Sequence, residues 1–307
     1  MLIRQLEYVV AVAREGHFGR AAASCWVTTP TLSDGVSRLE AELGVILVRR
    51  TRRYEGLTPE GEKLVAWAQR MLSERTDLVA ELGAARRDVP GRLRIGVIPT
   101  ALPAIPLITE ELARRRPGVA VDVHSMPAQN IIRGLSTFEL DAGLSYLDDS
   151  AVPGEITTLP LYSERYLVIT PREGPLGDRQ TVTWAQLAEL PLCLLSRQLQ
   201  NRRILDRRFD VEGISVSPGV ETDSLSVLSG HLRTGLWTSV VPQSWLHLFG
   251  LPERTRLLPL SGEPLSATVG LMVLTREPMP TLVISLAETL KGMDLQNTLD
   301  ISAKTVM

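Results

Sequence analysis

FGRAAASCWVTTPTLSDGVSRLE, residues 18–40, reads as two short helices joined by a tight turn. Ala21, Ala22 and Ala23 are small enough to let a second helix cross close by. Thr28-Thr29-Pro30 breaks the chain and restarts it, because a threonine hydroxyl caps free N–H groups and proline suits a first helical turn. In the second helix Leu32, Val36 and Leu39 recur at i, i+4 and i+7 and face inward. Thr31, Ser33, Asp34 and Ser37 then lie on the outer side. Small polar side chains on a capped helix, braced by an alanine-rich one, suit insertion into a DNA major groove. The competing reading of this stretch alone is an ordinary helical hairpin in a core.

Working outward, Leu2, Leu6, Val9, Val10 and Ala13 form the apolar stripe of a first helix that ends near Gly16 and packs behind the pair. After Gly44, VILVRRTRRYEGLT places Val45, Leu47 and Leu57 on the legs of a small β-wing. Its tip is arginine-rich, with Arg49, Arg50, Arg52 and Arg53. A run of this kind is usually a solvated face; beside a recognition helix it is expected to grip phosphates or the minor groove. Charge supports the location: residues 1–58 carry eight arginines and no lysine against six acids, while the whole chain is −2.

Phe18, Arg20-Ala21-Ala22, Val27, Pro30, Leu32-Ser33, Arg38-Leu39-Glu40, Leu43-Gly44, Leu47, Arg50-Thr51, Leu57-Thr58 and Gly61 carry a gapless pattern in order and spacing. In this the chain resembles the bacterial LysR-type transcriptional regulators, strongly over about the first 65 residues and more weakly beyond. The resemblance implies that Arg20, Thr28, Thr29, Pro30, Thr31, Ser33, Asp34, Ser37 and Arg38 face double-stranded DNA, with Arg50, Arg52 and Arg53 from the wing. It also implies a dimer of dimers, RNA polymerase as a partner, and a small-molecule effector. A two-fold dimer of such helices reads an interrupted palindrome. Departures from the pattern are informative. Thr29 stands where the family usually has glutamine, and Asp34 and Gly35 take two outward positions often held by arginine and glutamine. Glycine inside a helix costs about 1 kcal/mol against alanine. A carboxylate repels phosphates, yet accepts a hydrogen bond from cytosine N4. DNA binding is expected to survive these changes, with different base contacts.

Thr58-Pro59-Glu60 opens the longest helix with a cap, a proline and an acid near the positive end of the dipole. Leu64, Ala68, Met71, position 75, Leu78, Leu82 and Ala85 alternate in steps of four and three, a heptad pattern whose one fault is Arg75. Such a rod, about 45 Å long at 1.5 Å per residue, has no local core to cover it. A partner helix is expected, and the stretch resembles the family's linker helix. Arg86 to Gly91 reads as a hinge.

From Arg92 strands and helices alternate. Leu93–Ile98, Val119–His124 and Asp141–Ser145 read as strands separated by helices at Ala104–Arg116 and Asn130–Phe138. A second unit runs from Tyr166–Thr170 through Pro191–Leu195, Arg202–Phe209, Val216–Glu221, Leu225–Arg233 and Trp237–Val241. Leu265–Leu274 returns as a strand and Thr281–Met293 closes as a helix. The expected fold class is α/β: an N-terminal all-α winged helix-turn-helix, a long linker helix, and a two-lobed domain resembling the periplasmic-binding-protein fold. Expected boundaries are 1–58 for the DNA-binding domain, 59–89 for the linker and 90–307 for the effector domain. Within the last, lobe I covers about 90–162 and 268–294, and lobe II about 163–267, with crossings near 162–166 and 262–268. The tail after Asp294 reads as polar and mobile.

Strand ends and helix starts should meet in the cleft between the lobes. Candidates for effector binding are Thr100 and Ala101, Ser125 and Gln129, and Ser196, Arg202 and Arg203. Helix N-termini and a bidentate arginine clamp favour a small organic anion. In the alternative, Thr100 merely caps its helix and the arginines are solvated.

Other functions find little support. His17, His124, His231 and His247 show no metal-ligand spacing, and no nucleophile elbow, phosphate loop or dinucleotide fingerprint occurs. No catalytic residue, metal or cofactor is expected. Cys25, where the family usually has a core leucine, and Cys193 fall in different domains, which does not support a thiol sensor built from two close cysteines. Without a signal peptide or an apolar run of membrane-spanning length, the protein is expected in the cytoplasm. A solute-binding protein without DNA function needs no recognition helix or basic wing. A nucleoid-type architectural protein needs no two-lobed cleft.

Overall fold

A computed structural model describes residues 1–50, 54–86, 91–147 and 153–304, with backbone alone at 50, 80, 81, 83–86 and 301–304. The expected roles of Thr51 to Arg53, of the hinge residues 87–90 and of the Arg50 and Ala85 side chains fall outside the described residues. The chain divides into two compact units, Met1–Pro90 with Ser136–Glu139, and Gly91–Leu135 with Leu140–Met307.

In the first unit α1 (Ile3–Glu15) stops at Gly16, whose φ of 58° is the left-handed cap that glycine adopts at least cost. His17 caps α2 (Phe18–Ser24), its Nδ1 accepting from the Gly19 and Arg20 amides. Helix α3 (Thr29–Leu43) buries Leu32, Val36 and Leu39 completely. They pack with Leu6, Val9, Val12, Ala21 and Ala22 in one core. After α3, the Glu40 carboxylate accepts from the Leu47 and Val48 amides and fixes the entry to the wing. Strand β1 (Val48–Arg50) pairs antiparallel with β2 (Tyr54–Leu57). Leu47 is buried as expected, but Val45 is 37% exposed and precedes the wing rather than forming its leg.

Helix α4 runs Pro59–Arg86. Thr58 caps it, its Oγ1 accepting from the Gly61 amide and donating to the Ile46 carbonyl. Ala68 is buried and Leu64, Val65 and Leu72 pack on the core of the unit. Trp67, Met71, Leu78, Val79 and Leu82 are exposed. Arg75, the fault in the heptads, faces Glu7 of α1 at 3.4 Å. The apolar positions thus serve two surfaces, one turned to the chain's own core and one left bare.

The second unit is built on a mixed sheet ordered β10 (Thr255–Pro259), β6 (Ile156–Pro171), β11 (Ser266–Leu274), β5 (Ala142–Tyr146), β3 (Arg92–Val97) and β4 (Ala120–Ser125), with β9 (Ser239–Pro242) also on β6. Strand β3 (Arg92–Val97) pairs in parallel with β4 (Ala120–Ser125) and β5 (Ala142–Tyr146). Their crossovers are a 3-10 turn at Pro99–Ala104 with α5 (Ile105–Arg115), and α6 (Ala128–Ser136). The crossing segment is longer than expected: β6 is a single strand over Ile156–Pro171. Its first half pairs with β11 (Ser266–Leu274) and its second with β9 (Ser239–Pro242) and β10 (Thr255–Pro259). Around that second half lie α7 (Trp184–Ala188), β7 (Cys193–Leu195), α8 (Gln200–Val211), β8 (Val220–Thr222), α9 (Leu225–Arg233) and α10 (Trp245–Phe249). Strand β7 pairs in parallel with β8.

Helix α11 (Thr281–Lys291) is followed by α12 (Leu295–Lys304), which overturns the expected mobile tail. Leu295 and Leu299 are buried, and the Gln296 side chain bonds both the amide and the carbonyl of Ser163. Asp300 pairs with Arg165 at 2.8 Å. The helix is polar on one face only, and its two leucines anchor it to the crossing strand.

Candidate DNA-reading helix and effector pocket

At the start of α3 the Thr28 Oγ1 accepts from the Thr31 amide at 3.3 Å and lies 2.8 Å from the Thr31 hydroxyl. Pro30 occupies the first turn. Thr28 through Thr31 form an unbroken exposed run, and Asp34, Ser37 and Arg38 continue it along the helix, with Ser33 half-buried. Arg20 is exposed and its guanidinium is held at the Glu15 carbonyl. Gly35 is not outward as expected. A Cβ there would sit 2.6 and 2.8 Å from the Tyr8 ring, which is itself buried. Glycine lets α1 approach α3 closely, which offsets its helical cost.

In the second unit a cavity of about 10 Å³, room for about one water molecule, lies among Ile98, Pro99, Thr100, Pro127, Ala128, Tyr146, Leu195, Leu199, Gln200 and Asn201. The first turns of α6 and α8 both meet it. Tyr146 also lines a larger groove of about 290 Å³ with Ile204, Arg207, Arg208 and Val211. Behind the cavity wall runs a chain of buried polar groups. Thr100 Oγ1 is 2.9 Å from the Tyr146 hydroxyl, which donates to Glu164 Oε2 at 2.6 Å. Ser244 Oγ donates to Glu164 Oε1 at 3.1 Å, and Asn201 Nδ2 donates to the Tyr166 hydroxyl. Burial pushes the Glu164 carboxyl up to about 8, against the pull of its two hydroxyl donors. Those hydroxyls neutralise no charge, so burial outweighs them and the carboxyl holds its proton more tightly than an exposed glutamate. Gln200 Oε1 is buried without a hydrogen-bond partner among the described residues.

Of the expected effector residues, Thr100 lines this cavity, and Ala101 is buried beside it. Ser125 and Gln129 are exposed, and Pro127 and Ala128 from the same loop line the cavity instead. Ser196 is half-buried, its amide bonded to the Thr222 carbonyl. Arg203 is half-buried on α8, outside the lining. Arg202 is corrected: fully buried, it is committed to Asp206 at 2.7 Å, Glu221 at 2.8 Å and the Leu195 carbonyl. It braces α8 against β7 and β8 and is no clamp. Tyr146, Glu164, Gln200, Asn201 and Ser244 escaped sequence reasoning. Only Tyr146 had a signal, as a polar aromatic ending an apolar strand.

Residues 3–62 match the bacterial regulatory helix-turn-helix proteins of the lysR family, and residues 86–294 match the LysR substrate binding domain. The chain belongs to the LysR family of bacterial transcriptional regulators. It is a DNA-binding regulator with an effector domain, and not an enzyme. A probable hydrogen peroxide-inducible genes activator of Streptomyces viridosporus is 35% identical over 247 residues, covering 79% of this chain and 78% of the relative. The DNA-binding transcriptional dual regulator OxyR of Escherichia coli is 31% identical over 95% of both chains. A full-length cysteine variant of OxyR from Pseudomonas aeruginosa superposes with a TM-score of 0.74 at 29% identity, covering 97% of each chain. For a LysR-family chain with such relatives, the cysteines stand out. Cys193 is buried on β7, with burial pushing its thiol up to about 11, and half-buried Cys25 is also raised by burial.

Proposed function

We propose that this LysR-family regulator reads an interrupted palindrome through paired α3 helices and answers to a small organic anion that binds at Thr100, where the one-water cavity must widen to admit it. The observation that carries the DNA half is the exposed polar run Thr28–Thr31 on a capped helix whose other face buries Leu32, Val36 and Leu39. Thr29, Thr31, Ser33 and Asp34 serve as base-edge or nearby contacts, and Arg20, Thr28, Pro30, Ser37 and Arg38 flank them. Arg50, Arg52 and Arg53 hold the backbone or minor groove. Subunits pair through the bare stripe of α4, as a dimer of dimers acting with RNA polymerase in the cytoplasm. The domains follow the boundaries 1–58, 59–89 and 90–307.

Supporting the effector half, two helix starts and the Thr100, Gln200 and Asn201 side chains converge on one cavity. Ser125, Gln129, Ser196 and Arg203, outside the lining, neighbour its residues in the chain and complete the proposed site. The peroxide response in the relatives' names is not part of this proposal: the two cysteines lie one in each unit, and burial raises both thiols. The test is a mobility shift on DNA flanking the protein's own gene, with and without a panel of small carboxylates. Thr31→Val and Ser33→Ala should change preference among sequences. Arg52→Ala should weaken binding on all sequences and flatten the salt dependence. A carboxylate that alters the shift should lose affinity about tenfold in Thr100→Val. Equal response in that variant refutes the cavity assignment.

A further inference from the structure

Among the large apolar side chains of the described residues, Trp26 stands apart: it is 93% exposed and its φ is +56°. It ends α2 in a Schellman arrangement. The Trp26 amide bonds the Ala23 carbonyl at 3.2 Å, and the Val27 amide reaches the Ala22 carbonyl at 3.0 Å. The residue at this left-handed position is usually glycine, because any Cβ there crowds the backbone. A tryptophan therefore strains the turn, and its ring, almost wholly in solvent, returns no burial to the fold. The turn would form as well, or better, without it. An outlier of this kind points to a role outside the folded unit.

The position says what that role is. Trp26 lies one half-buried residue, Val27, before the exposed run Thr28, Thr29, Pro30 and Thr31 that leads into α3. Two residues of chain span at most about 7 Å, and the major groove is about 12 Å wide. With the start of α3 in the groove, the ring at Trp26 meets the groove wall, which is sugar and phosphate. We infer that Trp26 packs its indole on the sugar-phosphate backbone flanking α3 and so positions the reading helix. This rests on α3 being the helix that enters the groove. An indole is uncharged and displaces no counterion, so its contribution is independent of sequence and of salt.

The experiment measures binding of the intact protein to a mixed-sequence duplex of about 30 bp across a salt series, for wild type, Trp26→Gly and Trp26→Phe. Trp26→Gly should bind about tenfold more weakly with an unchanged salt slope and an equal or higher thermal midpoint. Trp26→Phe should keep most of the affinity. Duplex addition should change the indole emission of wild type more than that of Trp26→Phe. Affinity in Trp26→Gly within about twofold of wild type overturns the inference, as does a lower midpoint, which would mean that the ring serves the fold. Thr31→Val separates the two levels. If it changes sequence preference while Trp26→Gly binds normally, only Trp26 is removed; if neither variant has an effect, the placement of α3 fails as well.

Discussion

At the residue scale, glycines show how a side chain that is absent can determine packing. Gly35 reads as a defect in a recognition helix until Tyr8 is placed against it. Alanine there gains about 1 kcal/mol of helix propensity but forces a buried aromatic ring to move, at about 1–3 kcal/mol. Gly35→Ala is therefore expected to be neutral or destabilising by up to about 2 kcal/mol. Thermal unfolding of the intact protein measures it, and a clear gain in midpoint would show that Tyr8 does not constrain α3. Gly61 is more severe, since a Cβ would sit 2.0 Å from the Leu47 carbonyl oxygen. Backbone cannot step aside as a flexible side chain can, which is the physical reason for glycine at that point of the family pattern.

At the element scale, α4 is the proposed seat of the assembly. Its heptad pattern was legible, but the pattern mixes two faces: Leu64, Ala68 and Leu72 close the core of the unit, while Leu78 and Leu82 are 56% and 61% exposed. Substituting Leu78 and Leu82 with aspartate buries unpaired charge at a helix pair, a cost of several kcal/mol. The monomer core, which neither residue joins, should be untouched. Sedimentation of the double variant should show smaller species with an unchanged far-ultraviolet spectrum. An unaltered oligomer would remove this stripe from the interface. Helix α12 teaches the reverse lesson, because ten polar-looking residues hide two buried leucines one helical turn apart.

At the scale of the whole molecule, the crossing strand β6 brings Glu164 into the buried hydroxyl network beside the cavity. Its carboxyl is raised from 4.5 to about 8 by burial. The folded protein thus keeps a proton that the unfolded chain loses above about pH 4.5. This contribution to stability is fully present below about pH 4.5 and is lost as pH rises towards about 8, with a total on the order of a few kcal/mol. Denaturant unfolding between about pH 5 and 8.5 should show wild type losing stability more steeply than Glu164→Gln, whose amide cannot ionise. Parallel curves would mean that the carboxyl is charged in the folded state. An anionic effector should likewise bind less tightly above about pH 8, where a second negative charge forms two hydrogen bonds from Thr100.

The helix-turn-helix, the wing strands, the long helix and the βαβ alternation were legible in sequence because each follows from local periodicity, caps and breakers acting within a few turns. Thr100 was legible for the same reason, as a polar residue between a strand end and a helix start. Tertiary structure alone decided the rest. It turned Gly35 inward onto Tyr8, consumed Arg202 in ion pairs with Asp206 and Glu221, and folded the tail onto Ser163. It also assembled Tyr146 of β5, Glu164 of β6, Asn201 of α8 and Ser244, which precedes α10, beside one cavity. Such groups are set by long-range packing, where burial and pairing depend on residues more than 130 positions apart, and no local pattern records which partner a buried polar group will find.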